Sequence, residues 1–289
     1  MSAASEPRTP GFWSLQNLWS WTKLIAVILF IKGCVIDQYT IPSESMEPTL
    51  RAGNLITGDR VLVNKWIFGP RIPFTAIRLW EWGAPKRWDI VVFKPKPGTS
   101  RHSVLIKRVV ALPGERVQIS NGNLYINGRL EPFPPSMRKE NLPGVVFPVD
   151  MPDFQYYNDA DIMGIMMRTT SIPAKRVLQA MLEQYPLKYG CLEGEEYSRV
   201  PEGHYLVLGD NSLHSVDGRI FGWIPQRNLL GRAFAVWWPF SRWQDFTGFS
   251  ATWWGKGLLY GIPSVLVAWE AILLYLGWRE RRARAGGAA

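Results

Sequence analysis

Two apolar runs near the ends of this 289-residue chain constrain its fold more than any other feature. The first is centred on Leu24-Ile25-Ala26-Val27-Ile28-Leu29-Phe30-Ile31 and extends over residues 18–36 if Lys23 and Lys32 snorkel toward opposite surfaces. That approaches the roughly 20 residues a helix needs to cross a bilayer. Trp13, Trp19 and Trp21 suit an interfacial anchor at its start. A cleavable leader would end on a small-x-small site, and none follows the run. A buried core helix is the other alternative. The second run covers residues 257–278, with Glu270 its only charge. A carboxyl at membrane depth must be neutral, paired or snorkelled. The alternative there is an interfacial helix. Arg279, Arg281, Arg282 and Arg284 follow at once, and basic flanks stay cytoplasmic. The pattern therefore predicts a cytoplasmic N-terminus over 1–17, a transmembrane anchor over 18–36 and an extracytoplasmic domain over 38–250. A second transmembrane helix follows over 257–278, then an Arg-rich cytoplasmic tail over 279–289.

Between the runs the pattern is β. Gly58–Lys65 alternates after a turn, and Asp89–Lys94 and Val104–Val110 are short β-branched runs closed by Pro or Gly. Arg116–Ile119, Asn121-Gly122, Leu124–Ile126 and Asn127-Gly128 read as consecutive hairpin signals. Tyr205–Asp210 and Arg232–Trp238 complete the set. Short strands with Gly/Pro turns and no alternating helices predict a mainly β, antiparallel, barrel-like domain. Residues 131–200 break the pattern, with one short helical stretch over Arg176–Leu182. Several of the 15 tryptophans fall at the predicted membrane junctions, and Trp66, Trp80, Trp82 and Trp88 lie inside the β region. Core packing is the default for each. As a set they also suit a domain resting on a bilayer interface.

A net charge of +9 leaves nucleic acid open as a partner only if the basic residues cluster. They are scattered, apart from the C-terminal tail, so no nucleic-acid partner is expected. The two cysteines, Cys34 and Cys191, lie far apart in unlike settings. No disulfide, metal site or cofactor is expected from them.

Two stretches carry chemistry. One is Ile41-Pro42-Ser43-Glu44-Ser45-Met46-Glu47-Pro48-Thr49-Leu50, and the other is Ile106-Lys107-Arg108-Val109-Val110-Ala111-Leu112-Pro113-Gly114-Glu115. A serine hydroxyl is a weak nucleophile until a base removes its proton. Lysine can be that base only when desolvation strips its charge. Lys107 follows Val104-Leu105-Ile106 and precedes Val109-Val110, a setting able to desolvate it. Taken singly, Ser45 reads as a turn serine between prolines and Lys107 as a surface lysine on an edge strand.

In these stretches the chain resembles type I signal peptidases, membrane-bound Ser/Lys proteases that remove leader peptides. Pro42–Leu50 is similar to the family's nucleophile segment and Lys107–Glu115 to its general-base segment. Gly58–Lys65 and Gly209–Arg219 resemble two further family segments, in the family's order, over roughly residues 38–240. The resemblance implies Ser45 as nucleophile, Lys107 as general base and Ser43 as a hydroxyl donor to the oxyanion. It also implies that Ser215 hydrogen-bonds the base while Asp217 and Arg219 brace the site. Matching positions make Ile41, Met46, Leu50, Leu105 and Ile106 candidate pocket walls for small residues before the scissile bond, with core packing the alternative for each. Ala111, Glu115 and Gly218 depart from the family pattern, and Gly218 puts the local bracing in question. The implied partners are signal-peptide-bearing preproteins and membrane lipid, at the bacterial cytoplasmic (inner) membrane. Residues 131–200 match a variable insertion.

Three rivals remain. His214 lies beside Ser215 and Asp217, so a histidine triad needs a test. A self-cleaving repressor-type Ser/Lys protease would lack the apolar runs. A non-catalytic, membrane-tethered peptide-binding β domain would need no intact catalytic set.

Overall fold

A computed structural model of the chain describes residues 15–54, 56–72, 75, 77–95, 103–120, 122–134, 137, 156, 198–261, 264, 265, 268, 269 and 275. The Arg176–Leu182 helical stretch and most of 131–200 lie outside the described residues, as do His102, Cys191, Glu270 and the arginine tail. The chain divides into two units, residues 1–244 and 245–289.

The first unit begins with helix α1 (Leu15–Phe30), which runs into a π-turn at Ile31–Val35. β-Strands then dominate: β1 (Ile36–Thr40), β2 (Arg60–Asn64), β3 (Ile90–Phe93), β4 (Leu105–Ala111), β5 (Arg116–Ser120) and β6 (Asn123–Ile126). They continue with β7 (Arg129–Leu130), β8 (Ser198–Arg199), β9 (His204–Leu208), β10 (Ile224–Pro225) and β11 (Leu229–Trp238). A one-turn helix α2 (Gly218–Phe221) lies between β9 and β10. The β-branched runs form strands because their side chains pack well on a pleated, half-buried surface. The main sheet runs β1-β2-β11-β3-β4-β9-β10, and a second runs β7-β6-β5-β8. Every described pairing is antiparallel.

Register irregularities interrupt β11 at Leu229/Gly231, Ala233/Ala235 and Val236/Trp238, and β4 at Val109/Ala111. Bulges bend strands and raise their twist. The resulting curl explains how the far end of β1 and the start of β4, separated by three strands in the sheet order, line one cleft. Two apolar clusters stand out among the described residues. One joins Val91, Phe93, Val109 and Val207 to Phe68 and Phe221, and the other joins Val110, Leu206 and Leu208 to the second sheet.

The expected strands are all present, but the first apolar run ends earlier than its hydropathy suggests. Ile36 starts β1, because the alternation Ile36-Asp37-Gln38-Tyr39-Thr40 pairs with Asn64–Arg60. Among the described residues no helix is long and apolar enough to cross a membrane. In the second unit Asp245 accepts hydrogen bonds from the Thr247, Gly248 and Ser250 amides. A short helix α3 (Trp253–Lys256), capped by the Thr252 hydroxyl, leads into a π-turn at Gly257–Gly261.

Candidate active site

Strand β1 delivers the chain to a tight 3₁₀ turn at Glu44–Met46. Its entry is pinned where Ile41 donates to the Asp59 carbonyl and accepts from the Gly53 amide. Pro42 and Pro48 restrict the backbone on either side. Beneath the turn, Met46 and Leu50 are fully buried. They are not among the residues lining the neighbouring cleft. Ser45 is left 7 % exposed at the edge of the cleft.

Lys107 reaches Ser45 from the middle of β4. On this strand Leu105, Lys107 and Val109 share one face, since successive side chains alternate. Cross-strand partners lie on the same face, and Lys107 stands opposite Val91, in the apolar cluster. Lys107 is 3 % exposed, and its Nζ is hydrogen-bonded to Ser45 Oγ. Burial is the largest influence on its pKa and lowers it to about 8. The negative charges of Asp217 and Asp210 work against that, and Arg219 works with it. A sizeable fraction of Lys107 is therefore neutral slightly above pH 7, where a free lysine is almost wholly charged. Ser43 Oγ lies 3.2 Å from Ser45 Oγ.

The segment 209–219 closes the site from behind. Asn211 donates its amide to the Ser45 carbonyl at 3.1 Å. A Cβ on Gly209 would stand 2.4 Å from that carbonyl oxygen and 2.1 Å from Ser215 Oγ, so only glycine fits between the two segments. Asp217 is fully buried and accepts from the Gly209 amide at 2.9 Å. Arg219 grips its two carboxylate oxygens from Nε and Nη2, at 2.9 and 2.8 Å, and also donates to Ser212. Burial pushes the Asp217 carboxyl up, but Arg219, the Gly209 amide and Lys107 together outweigh it and hold it below its ordinary value. The braced pair is thus complete with Gly218 in place. A Cβ there would stand 2.7 Å from the Val207 carbonyl oxygen.

The expected hydrogen bond from Ser215 to Lys107 is not formed. Ser215 Oγ is buried against Gly209, without a hydrogen-bond partner among the described residues. Neither of the two described histidines, His204 and His214, is hydrogen-bonded to Ser45. His214 is exposed and paired with Asn211, and His204 with the Glu202 carbonyl.

The cleft beside Ser45 encloses ≈ 500 Å³ of empty space, part of it open to solvent. Ile41, Leu105 and Ile106 line it as expected, with Ser43, Ser45 and Lys107. Tyr39, Thr40, Pro42, Val92 and Val104 line it as well, beyond the expected set. Pro42 opens the Pro42–Leu50 segment and Thr40 and Val104 lie beside the motifs, whereas Val92 is reached only through its register with Ile106. Leu105–Lys107 pair with β3 alone, because β9 begins its pairing at Arg108.

On the opposite face of β4 lies a polar cluster that sequence reasoning missed. Arg108 donates from Nε and Nη2 to Asp210 at 2.8 and 2.6 Å, and the Thr49 hydroxyl donates to the same carboxylate at 2.6 Å. Tyr156 donates to it at 3.4 Å. All four are buried. One carboxylate thereby ties the Pro42–Leu50 segment to β4 and to the 209–219 segment.

This arrangement, a desolvated lysine against a serine hydroxyl beside an open strand edge, suits amide hydrolysis through an acyl-enzyme. The family model for signal peptidase, peptidase S26, matches residues 15–238. Signal peptidase I of Pseudomonas aeruginosa is 30% identical over 245 residues, 80% of this chain and 75% of that one. Signal peptidase I of Aquifex aeolicus is 30% identical over 74% and 80%, and signal peptidase IB of Staphylococcus aureus 30% over 78% and 92%. A crystal structure of a signal peptidase I from Enterococcus faecalis is 26% identical, covering 52% of this chain and 96% of its own, with a TM-score of 0.28. The chain belongs to the signal peptidase family, peptidase S26, and is a signal-peptide-removing serine protease.

Proposed function

We propose that Ser45 is the nucleophile of this signal peptidase and Lys107 its general base. The observation that carries the reading is the hydrogen bond between a lysine buried on an apolar strand face and the serine hydroxyl. Neutral Lys107 takes the Ser45 proton as Oγ attacks the carbonyl carbon of the scissile bond. The Ser45 amide and the Ser43 hydroxyl donate to the developing oxyanion. Protonated Lys107 then gives its proton to the leaving amine, which departs as the new N-terminus. Lys107, neutral again, deprotonates a water that attacks the ester. The acid leaves, and the Ser45 hydroxyl is restored. Ser215, Asp217 and Arg219 support this cycle by holding the wall behind Ser45.

The substrate is an extended leader segment that adds to the open edge of β4 beside the exit of β1. Alternate side chains enter the cleft walled by Ile41, Leu105 and Ile106, whose modest size favours small residues before the scissile bond.

A bilayer anchor accounts for α1. Leu24, Ile25, Val27, Ile28, Leu29 and Phe30 are each 45–54 % exposed, and at 100° per residue they cover every side of the helix. Apolar surface on all sides favours a membrane span over a helix in water. The helical path over residues 15–35 would extend about 30 Å at 1.5 Å per residue, close to a hydrocarbon core. Ser45 lies within about 35 Å of Val35 along the chain, so a preprotein would be cut close to the membrane surface. With the second apolar run crossing the bilayer and the arginine tail in the cytoplasm, residues 38–250 would lie on the extracytoplasmic side.

The test is cleavage of a preprotein by the purified full chain in detergent. Ser45→Ala and Lys107→Ala should each abolish turnover while remaining folded, and His214→Ala should retain it. A folded His214→Ala protein as inactive as Ser45→Ala would transfer the base role to histidine.

A further inference from the structure

We propose that Leu213 and Val216 form the subsite for the first residues after the scissile bond, and that it prefers apolar side chains there. The proposal rests on the reading of the Ser45–Lys107 cleft as the seat of the leader. Its basis is the way β4 shares its edge. Leu105–Lys107 pair with β3 alone, and from Arg108 onward the other edge is taken by β9, with Leu208 opposite Arg108. A leader segment along the open edge therefore lies in line with β9. Val104, which lines the cleft with Tyr39, is three residues from Lys107, about 10 Å along the strand. The leader fills that length with its scissile carbonyl at Ser45. The residues that follow meet the end of β9, where the edge is closed, and turn outward across the next segment, Gly209–Arg219.

That segment is held against the turn that carries Ser45. Asn211 donates its amide to the Ser45 carbonyl, and the 3₁₀ turn Ser212–His214 packs on the turn Glu44–Met46. Gly209 lies between the Ser45 carbonyl and Ser215, too close to both for a Cβ. Leu213 belongs to the packed turn and Val216 follows Ser215, so both flank Ser45 where the product side of the substrate leaves. The segment also turns its side chains the wrong way for a water-facing loop. Its polar Ser212, Asp217 and Arg219 are buried, while Leu213 is 41 % and Val216 56 % exposed. Polar groups inside and apolar ones outside reverse the usual order. Exposed apolar surface that continues a substrate cleft marks a place where a ligand covers it. The other wall of the exit differs in chemistry, since Ser43 and Glu44 are exposed there and would favour a basic residue.

The experiment uses the purified full chain in detergent and peptides that share one leader segment. They differ only in the two residues after the cleavage site, both leucine, both serine, both lysine or both glutamate. Wild-type kcat/KM should be about tenfold higher for the leucine peptide than for the serine peptide, the scale set by one apolar group entering a pocket. In Leu213→Ser/Val216→Ser that ratio should fall to near unity. Leu130→Ser, at an exposed leucine on β7, should keep it. Leu213→Lys should raise cleavage of the glutamate peptide several-fold over the serine peptide, because opposite charges then meet. Equal wild-type rates with leucine and serine overturn the subsite, as does a leucine advantage that survives the double substitution. No gain for glutamate in Leu213→Lys removes Leu213 from contact with the substrate and overturns it as well. A lysine preference in the wild type moves the exit to Glu44, with the same consequence. A further peptide, with phenylalanine in place of the small residue before the bond, tests the leader cleft separately. Undiminished cleavage of that peptide takes the leader out of the cleft and the subsite with it. Its resistance, combined with no leucine preference, overturns the subsite and leaves the leader cleft standing.

Discussion

Strand β4 carries two adjacent cations into the interior, and the two faces treat them in opposite ways. Lys107 lies among Leu105, Val109 and Val91 with a serine hydroxyl as its hydrogen-bond partner. Arg108, one residue on, meets the two oxygens of Asp210. Burial alone would lower both pKa values. For Lys107 it wins. For Arg108 the Asp210 carboxylate outweighs it, and the guanidinium is held above its ordinary value. A buried cation with a bonded counter-charge is a structural tie, and one without loses its proton more readily. Arginine suits the first role because it keeps its proton and its planar fork fits a carboxylate. Lysine suits the second because its charge can be removed.

The tie on the Arg108 face is most vulnerable at Asp210. Asp210→Ala would leave the Arg108 charge buried and unpaired and the Thr49 hydroxyl without its acceptor. Losing one partner of a buried pair typically costs about 3–5 kcal/mol. Thermal unfolding in detergent should register a large drop in Tm together with lost activity. A variant that melted within a degree or two of wild type would show that the second face is not a structural tie.

Ser43 tests the Lys107 face in turn. Its hydroxyl lies 3.2 Å from Ser45 Oγ, within reach of an oxyanion forming there. Losing one such donor typically costs about 10²–10³ in turnover. Ser43→Ala should therefore lower kcat with little change in KM and none in Tm, the reverse of Asp210→Ala. Wild-type turnover in Ser43→Ala would remove the hydroxyl from the oxyanion site.

The Lys107 face was legible in the sequence because its residues sit in short, ordered segments, and the apolar residues around Lys107 supply its desolvation locally. The Arg108 face was not. Its partners Thr49 and Asp210 lie 59 and 102 positions away, and nothing in the local pattern of either points to the other. The buried pair of Asp59 with Arg242, 183 positions apart, was hidden for the same reason. Strands β3 and β4 followed from their β-branched runs, β2 from its alternation and β9 from its apolar run. β1 did not, because its first residue continues the apolar run that precedes it. Met46 and Leu50 were expected as pocket walls on the strength of their place in the motif. A one-residue difference along a tight turn decides whether such a side chain faces a cleft or the core, and sequence spacing does not resolve that. Gly218 shows the converse. Its departure from the family pattern raised a doubt about the local bracing, and only the structure shows Asp217 and Arg219 paired beside it.

The smallest effect is the most discriminating, since it asks whether Lys107 is held charged or neutral. Its pKa is lowered from 10.5 to about 8 by burial. Below pH 8 both folded and unfolded chains bind the proton, and the folded chain bears the full cost of charging a buried amine. At about 1.4 kcal/mol per unit, that cost is about 3 kcal/mol. As pH rises from the folded value toward the unfolded one, the unfolded chain binds more protons and stability rises, until above about 10.5 the penalty is gone. Cleavage should accordingly climb with pH along a limb centred near 8. Lys107→Met fills the same space with an apolar chain of similar length and has no charge to desolvate. It should be inactive, yet at pH 7 at least as stable as wild type, with the difference shrinking toward pH 10. The matching variant on the other face, Arg108→Met, strands the Asp210 carboxylate and should melt well below wild type. If Lys107→Met also melted clearly early at pH 7, Lys107 would be a charged structural partner like its neighbour, and Ser45 would need another base.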